Sequence, residues 1–150
     1  MKLSTKSRYA VMAIIDIALN STGAPISLQQ ISTRQTIALS YLEQIFVGLR
    51  KNDIVISVKG PGGGYILGRG LSDIKIFDIV AAVSNSLKMA RCSCGKGCMV
   101  RGNKCLTHGI WEGLEKSIAS YLQSISLLDV INDFHQKDLN TANYNAFELK

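Results

Sequence analysis

From Tyr9 onward the apolar residues Ala10, Ala13, Ile14, Ile17 and Ala18 recur at helical spacing. The pattern predicts an amphipathic helix over residues 5 to 20, ending between Asn20 and Gly23. Pro25 restarts the chain. Ser27 followed by Gln30 fits a capping box that opens a short helix over Leu28 to Gln35, and Ser40 followed by Glu43 fits a second, opening a helix to about Asn52. Only Thr36 to Leu39 separates the two. With Leu28, Ile31, Leu42, Ile45, Phe46 and Leu49 on their inward faces, the pair is predicted to be a helix-turn-helix.

The period then changes. Ile54 to Val58 is β-branched and apolar, Gly60-Pro61-Gly62-Gly63-Gly64 needs backbone that glycine supplies, and Tyr65 to Leu67 resumes as strand. A hairpin directly behind a recognition helix is the winged-helix arrangement, with the helix entering the major groove and the wing following the backbone or minor groove. Glycine runs also cradle phosphates in nucleotide sites, but those run from strand into helix, and neither GxxxxGK[ST] nor GxGxxG occurs here. Ile74 to Val83 is predicted as a short helix. Beyond His108, the residues Trp111, Leu114, Ile118, Tyr121, Ile125 and Leu128 step by threes and fours, the seam of one long helix that packs on a partner.

The expected fold is therefore mainly α, of α+β class: a winged helix-turn-helix domain over residues 1–85 that closes its own core, and a cysteine-rich metal loop over 86–108. A C-terminal dimerisation helix over 109–135 and a loosely ordered tail over 136–150 follow. At 150 residues the chain has room for one such core.

Charge sharpens this picture. The net charge of +6 is uneven: residues 1–60 hold seven lysines and arginines against three acids, 88–104 hold five with no acid, and 105–150 hold three against six acids. A basic front end suits a polyanion, although a solvated charged surface would look the same. On the predicted recognition helix, Ser40, Gln44, Val47 and Lys51 fall opposite the apolar face. Gln44 has the amide to pair with adenine, Ser40 suits a base or a phosphate, and Lys51 suits a phosphate. Glu43, at the edge of that face, serves either the capping box or acceptance from cytosine N4. Arg8, Tyr41 and Lys59, with Gly62 and Gly63 of the wing, are expected backbone or wing contacts.

All four cysteines, Cys92, Cys94, Cys98 and Cys105, lie with His108 in the single stretch RCSCGKGCMVRGNKCLTH. Disulfide scaffolds spread their cysteines to staple distant segments, whereas these reach only each other, so a metal or redox centre in a reducing cytoplasm is the expectation. The basic start followed by AVMAIIDIAL imitates a signal peptide, but Asp16 interrupts the apolar run, and the run is too short to cross a membrane. A set of three cysteines and a histidine suits zinc as well as an iron–sulfur cluster, and spacing alone leaves the two open. Lys96, Arg101 and Lys104 would favour thiolate, so thiol oxidation is a further possibility. No nucleophile–base pairing is visible, and no enzyme is expected.

Taken together, KLSTKSRYAVMAIIDIAL, SYLEQIFVGLRKNDIV, VKGPGGGYILG and the cysteine loop ending in CLTH resemble the Rrf2 family of bacterial transcription regulators over residues 2 to about 135. The resemblance implies a homodimer bound to a double-stranded DNA operator, regulating genes for iron–sulfur cluster assembly, and served by proteins that donate clusters. It implies one [2Fe-2S] cluster per subunit, ligated by Cys92, Cys98, Cys105 and His108. An imidazole in place of one thiolate lowers the negative charge at such a site and supplies a ligand that can protonate and leave. Three features depart from the family pattern. The gap from Cys98 to Cys105 is one residue longer, and Cys94 is an additional thiol that makes it an alternative ligand. Lys59 stands where arginine is usual, and the two cations are not interchangeable in a minor groove.

Overall fold

Ser4 starts the first helix by accepting a hydrogen bond from the Ser7 amide at 3.1 Å, and α1 then runs Thr5–Asn20 with Ala10, Ala13, Ile14 and Ile17 fully buried. The structure, a computed structural model, describes residues 4–84 and 105–147, with side chains given as far as residue 137. α2 is Leu28–Gln35, and its capping box forms as expected: the Ser27 amide donates to Gln30 Oε1 at 2.9 Å, and the Gln30 amide donates to Ser27 Oγ at 3.2 Å.

α3 runs Leu39–Lys51, but its predicted box of Ser40 and Glu43 does not form. The turn decides this. Ile37 is buried and accepts the Ser32 hydroxyl at 2.6 Å through its carbonyl, which leaves Ala38 at the cap, its carbonyl receiving the Tyr41 and Leu42 amides. Ser40 already lies inside the helix, where its hydroxyl has no free third-position amide to accept from. Thr36, the C-cap of α2, makes the turn in left-handed conformation at φ 53°.

β1 (Val55–Val58) and β2 (Gly64–Leu67) pair antiparallel, Val55 opposite Leu67 and Val58 opposite Gly64. Ile26 adds a short third rung by exchanging two backbone hydrogen bonds with Tyr65, at 2.9 and 2.8 Å. That rung comes so close that a Cβ on Gly64 would lie 2.4 Å from the Ile26 carbonyl oxygen. At the wing tip the Gly63 amide donates to the Gly60 carbonyl at 2.9 Å, with Pro61 second and Gly62 third at φ 76°. This is a type II turn, which requires a positive φ at its third residue.

α4 (Ile76–Val83) packs on α1 and α3. The predicted single helix after His108 is two: α5 (His108–Ser124) and α6 (Leu127–Phe147). At the break, the Ser126 amide donates to Asp129 Oδ2 at 2.8 Å and the Asp129 amide donates to Ser126 Oγ at 3.2 Å, a capping box that restarts the helix. These bonds hold the Asp129 carboxyl below its ordinary pKa. The Ile125 carbonyl accepts from Ile76, and the Leu127 amide donates to Ile74, so the break is stitched to the entry of α4. Ile125 and Leu128 therefore do not continue the Trp111–Tyr121 stripe.

α6 continues to Phe147 through a stretch with no glycine or proline beyond Gly113. One further expectation changes: residues 1–85 do not close the core alone. Leu127, fully buried, and Ile131, 6% exposed, join the same apolar cluster as Ile14, Phe46 and Ile79, so the first turns of α6 complete the winged domain.

Candidate functional site

α3 is amphipathic in the way a recognition helix needs. Leu42, Ile45 and Leu49 are fully buried and Phe46 nearly so, whereas Ser40, Glu43, Gln44, Val47 and Lys51 are exposed. The helix is seated tightly from behind. A Cβ on Gly48 would lie 2.4 Å from the Ala82 carbonyl oxygen, so only glycine lets α3 approach α4 this closely. Phe46 meets the Tyr65 ring edge-on at 4.7 Å between centroids, which ties the buried face of α3 to β2 of the wing.

Tyr41 is half-buried and packs at right angles on Tyr9 of α1, with centroids 5.8 Å apart. Arg8 is exposed one residue before Tyr9. Lys59 and Gly62 are exposed at the wing, with Gly63 partly covered in its turn. The expected DNA-contacting residues are thus distributed over α1, α3 and the wing.

Sequence reasoning missed what holds α2 in place. Asp16, 2% exposed on the apolar face of α1, receives Arg34 Nε at 3.1 and 3.0 Å on its two oxygens, Arg34 Nη2 at 2.5 Å and Gln35 Nε2 at 2.8 Å. This bidentate pair raises the Arg34 pKa through the hydrogen bonds to Asp16. The available signal was an acid inside an otherwise apolar helical face. Ser7 is also buried, and its hydroxyl shares a 2.7 Å hydrogen bond with Ser84 at the end of α4.

Of the expected metal ligands, Cys92, Cys98 and the alternative Cys94 lie outside the described residues. Cys105 and His108 are described, and one turn brings them together: the His108 amide donates to the Cys105 carbonyl at 3.0 Å, and His108 is the first residue of α5. Cys105 Sγ lies 3.5 Å from Thr107 Oγ1, which also accepts from Trp111 Nε1 at 3.3 Å. Glu112, one helical turn on, comes within 3.7 Å of His108 Nε2 and 3.0 Å of Lys116 Nζ. A carboxylate beside a ligand histidine is the usual second partner that orients the ring. A soft sulfur and an imidazole held on one turn suit iron–sulfur or zinc chemistry better than magnesium or calcium. The Glu112 contact was readable as a four-residue spacing on one helix.

Among the described residues no helix is long and apolar enough to cross a membrane. Comparison with known proteins agrees with this architecture. Residues 3–133 match the model of the Rrf2 family, described as iron-dependent transcriptional regulators. The chain is 45% identical over 145 residues to the HTH-type transcriptional regulator IscR of Cronobacter sakazakii, covering 97% of this chain and 89% of that one. Among solved structures, T. potens IscR superposes with a TM-score of 0.72 at 39% identity, covering 89% of this chain and 88% of that one. CymR, the global cysteine regulator of B. subtilis, gives 0.71 at 26% identity, covering 87% and 95%. The chain belongs to the Rrf2 family of transcriptional regulators.

Proposed function

We propose that this regulator is a cytoplasmic homodimer that reads a double-stranded operator with α3 and the wing, and that it senses iron–sulfur status through a [2Fe-2S] cluster on each subunit. The observation that carries the DNA reading is the exposed stripe of Ser40, Gln44 and Lys51 on a helix whose opposite face is buried. Gln44 supplies a bidentate donor–acceptor pair for adenine, Ser40 a hydroxyl at the helix start, and Lys51 a cation at the last turn for a phosphate. Glu43 is without its expected capping partner and faces solvent on the same helix, which favours its role in selecting sites: it accepts from cytosine N4 and repels phosphate. Arg8, Tyr41, Lys59 and the Gly62–Gly63 turn supply flanking contacts.

For the sensor, Cys92, Cys98, Cys105 and His108 are the proposed ligands, with Cys94 as the alternative thiol, and proteins that donate clusters are the expected source. The residues on the Cys105–His108 turn fit such a group, and when bound it supplies a redox state that oxidants and iron supply can change. Within the chain, Glu112 lies where it can orient the His108 ring. The family relationship to regulators argues for binding rather than catalysis as the role of this site.

The DNA reading is tested by salt. Lys51→Ala should weaken binding to all duplexes alike and reduce the slope of log affinity against log salt by about one, the value of one lost phosphate contact. Gln44→Ala should cost about 1–3 kcal/mol on preferred sites alone, at nearly unchanged slope. Equal, salt-independent effects of the two would contradict the assignment.

A further inference from the structure

One side chain on the reading face of α3 is neither polar nor buried. Val47 is 46% exposed, while the other apolar residues in the body of the helix, Leu42, Ile45, Phe46 and Leu49, are 0–1% exposed. It lies between Gln44, three residues before it, and Lys51, four residues after it, so three- and four-residue steps place it in the centre of the polar stripe. The fold does not account for it. Valine is a poorer helix former than alanine or the long straight-chain residues, and nearly half of this one is left in water.

We propose that Val47 is a specificity-determining residue that reads the 5-methyl group of a thymine in the major groove. This inference rests on α3 being the DNA-reading helix. Of the four bases, only thymine offers a methyl group on the major-groove edge, and an aliphatic side chain is its natural contact. A β-branched residue in a helix holds essentially one rotamer, so the contact orders little that is not already fixed. Gln44 and Val47 are three residues apart, about 4.5 Å along the helix axis. That spacing places the thymine within about two base pairs of the base read by Gln44.

The test begins with duplexes selected from a random library by the full-length protein. In the best of them each thymine is replaced singly by deoxyuridine, which removes the methyl and leaves every hydrogen-bonding group. The unaltered protein should lose about fourfold in affinity at one thymine, the value of one buried methyl. Val47→Ala should lose nothing further there, and Val47→Thr, which keeps one methyl and the branch, should retain part of the discrimination. Both variants change an exposed position, and unchanged thermal melting would exclude misfolding. If no deoxyuridine substitution matters, or if Val47→Ala keeps the same fourfold loss, the inference is overturned while α3 remains the reading helix. If no duplex is selected at all, α3 is not reading sequence and both readings fail together.

Discussion

Asp16 shows how much a single residue organises. Its side chain is 1% exposed in the apolar face of α1, and its partner Arg34 stands 34% exposed on α2. Removing one partner of such a pair is asymmetric, because a buried carboxylate without its cation is far costlier than a guanidinium that can turn into water. Arg34→Ala should therefore destabilise the fold by about 3 kcal/mol, with Gln35 still donating to Asp16. Asp16→Asn should cost clearly less. Urea unfolding of both variants checks the order, and an Asp16→Asn loss as large as that of Arg34→Ala would show that the pair itself, not the buried charge, dominates. Because Arg34 holds the first helix of the helix-turn-helix, its loss should also weaken DNA binding before global unfolding.

At the level of elements, the C-terminus of α3 sets the angle at which the wing leaves. Asp53 sits at φ 54°, its amide donates to the Arg50 carbonyl at 3.2 Å, and the Ile54 amide donates to the Leu49 carbonyl at 3.0 Å. These two bonds form a Schellman motif, completed by the buried Leu49 and Ile54. The left-handed position normally holds glycine, so Asp53→Gly should stabilise the protein by about 0.5–1 kcal/mol, read as a higher urea midpoint at unchanged slope. A lower midpoint would mean the Asp53 side chain contributes more than its backbone strain costs. Element ends of this kind explain what could be read from the chain. The Ser27 and Gln30 box is entirely local and could be read in advance, as could the buried stripe from Leu42 to Leu49 and the wing turn. The Ser40 and Glu43 spacing misled because burial of Ile37, a tertiary effect, moves the helix start ahead of Ser40. The break before α6 was written in Ser126-x-x-Asp129, but the apolar threes and fours run through it and hide it. The Ile26–Tyr65 rung and the Asp16–Arg34 pair join segments distant in sequence and left no periodic trace. Of the expected ligands, the chain gives Cys105 and His108 a common turn, while the arrangement of Cys92, Cys94 and Cys98 rests on the family resemblance.

For the molecule as a whole, the start of α6 is part of the same core as the winged domain. Leu127 and Ile131 belong to the winged core, Leu122 of α5 packs against it, and the capping box at Ser126 separates α5 from α6. α5 presents Ile110, Trp111, Leu114 and Tyr121, all at least 36% exposed, which is the face expected to meet a second copy. Replacing Leu114 and Ile118 together by glutamate should give monomers in sedimentation and weaken binding to a two-fold operator, since each half-site then binds without its linked partner. A dimer of unchanged mass would place the interface elsewhere. Whether this DNA-reading fold carries an iron–sulfur sensor is tested most directly by the visible absorption spectrum of freshly purified protein kept free of oxygen. The protein should be coloured and contain iron and sulfide in equal amounts, with the colour lost in Cys92→Ala, Cys98→Ala and Cys105→Ala and largely kept in Cys94→Ala. A colourless protein that carries zinc, with the same operator affinity before and after exposure to air, would contradict the iron–sulfur reading.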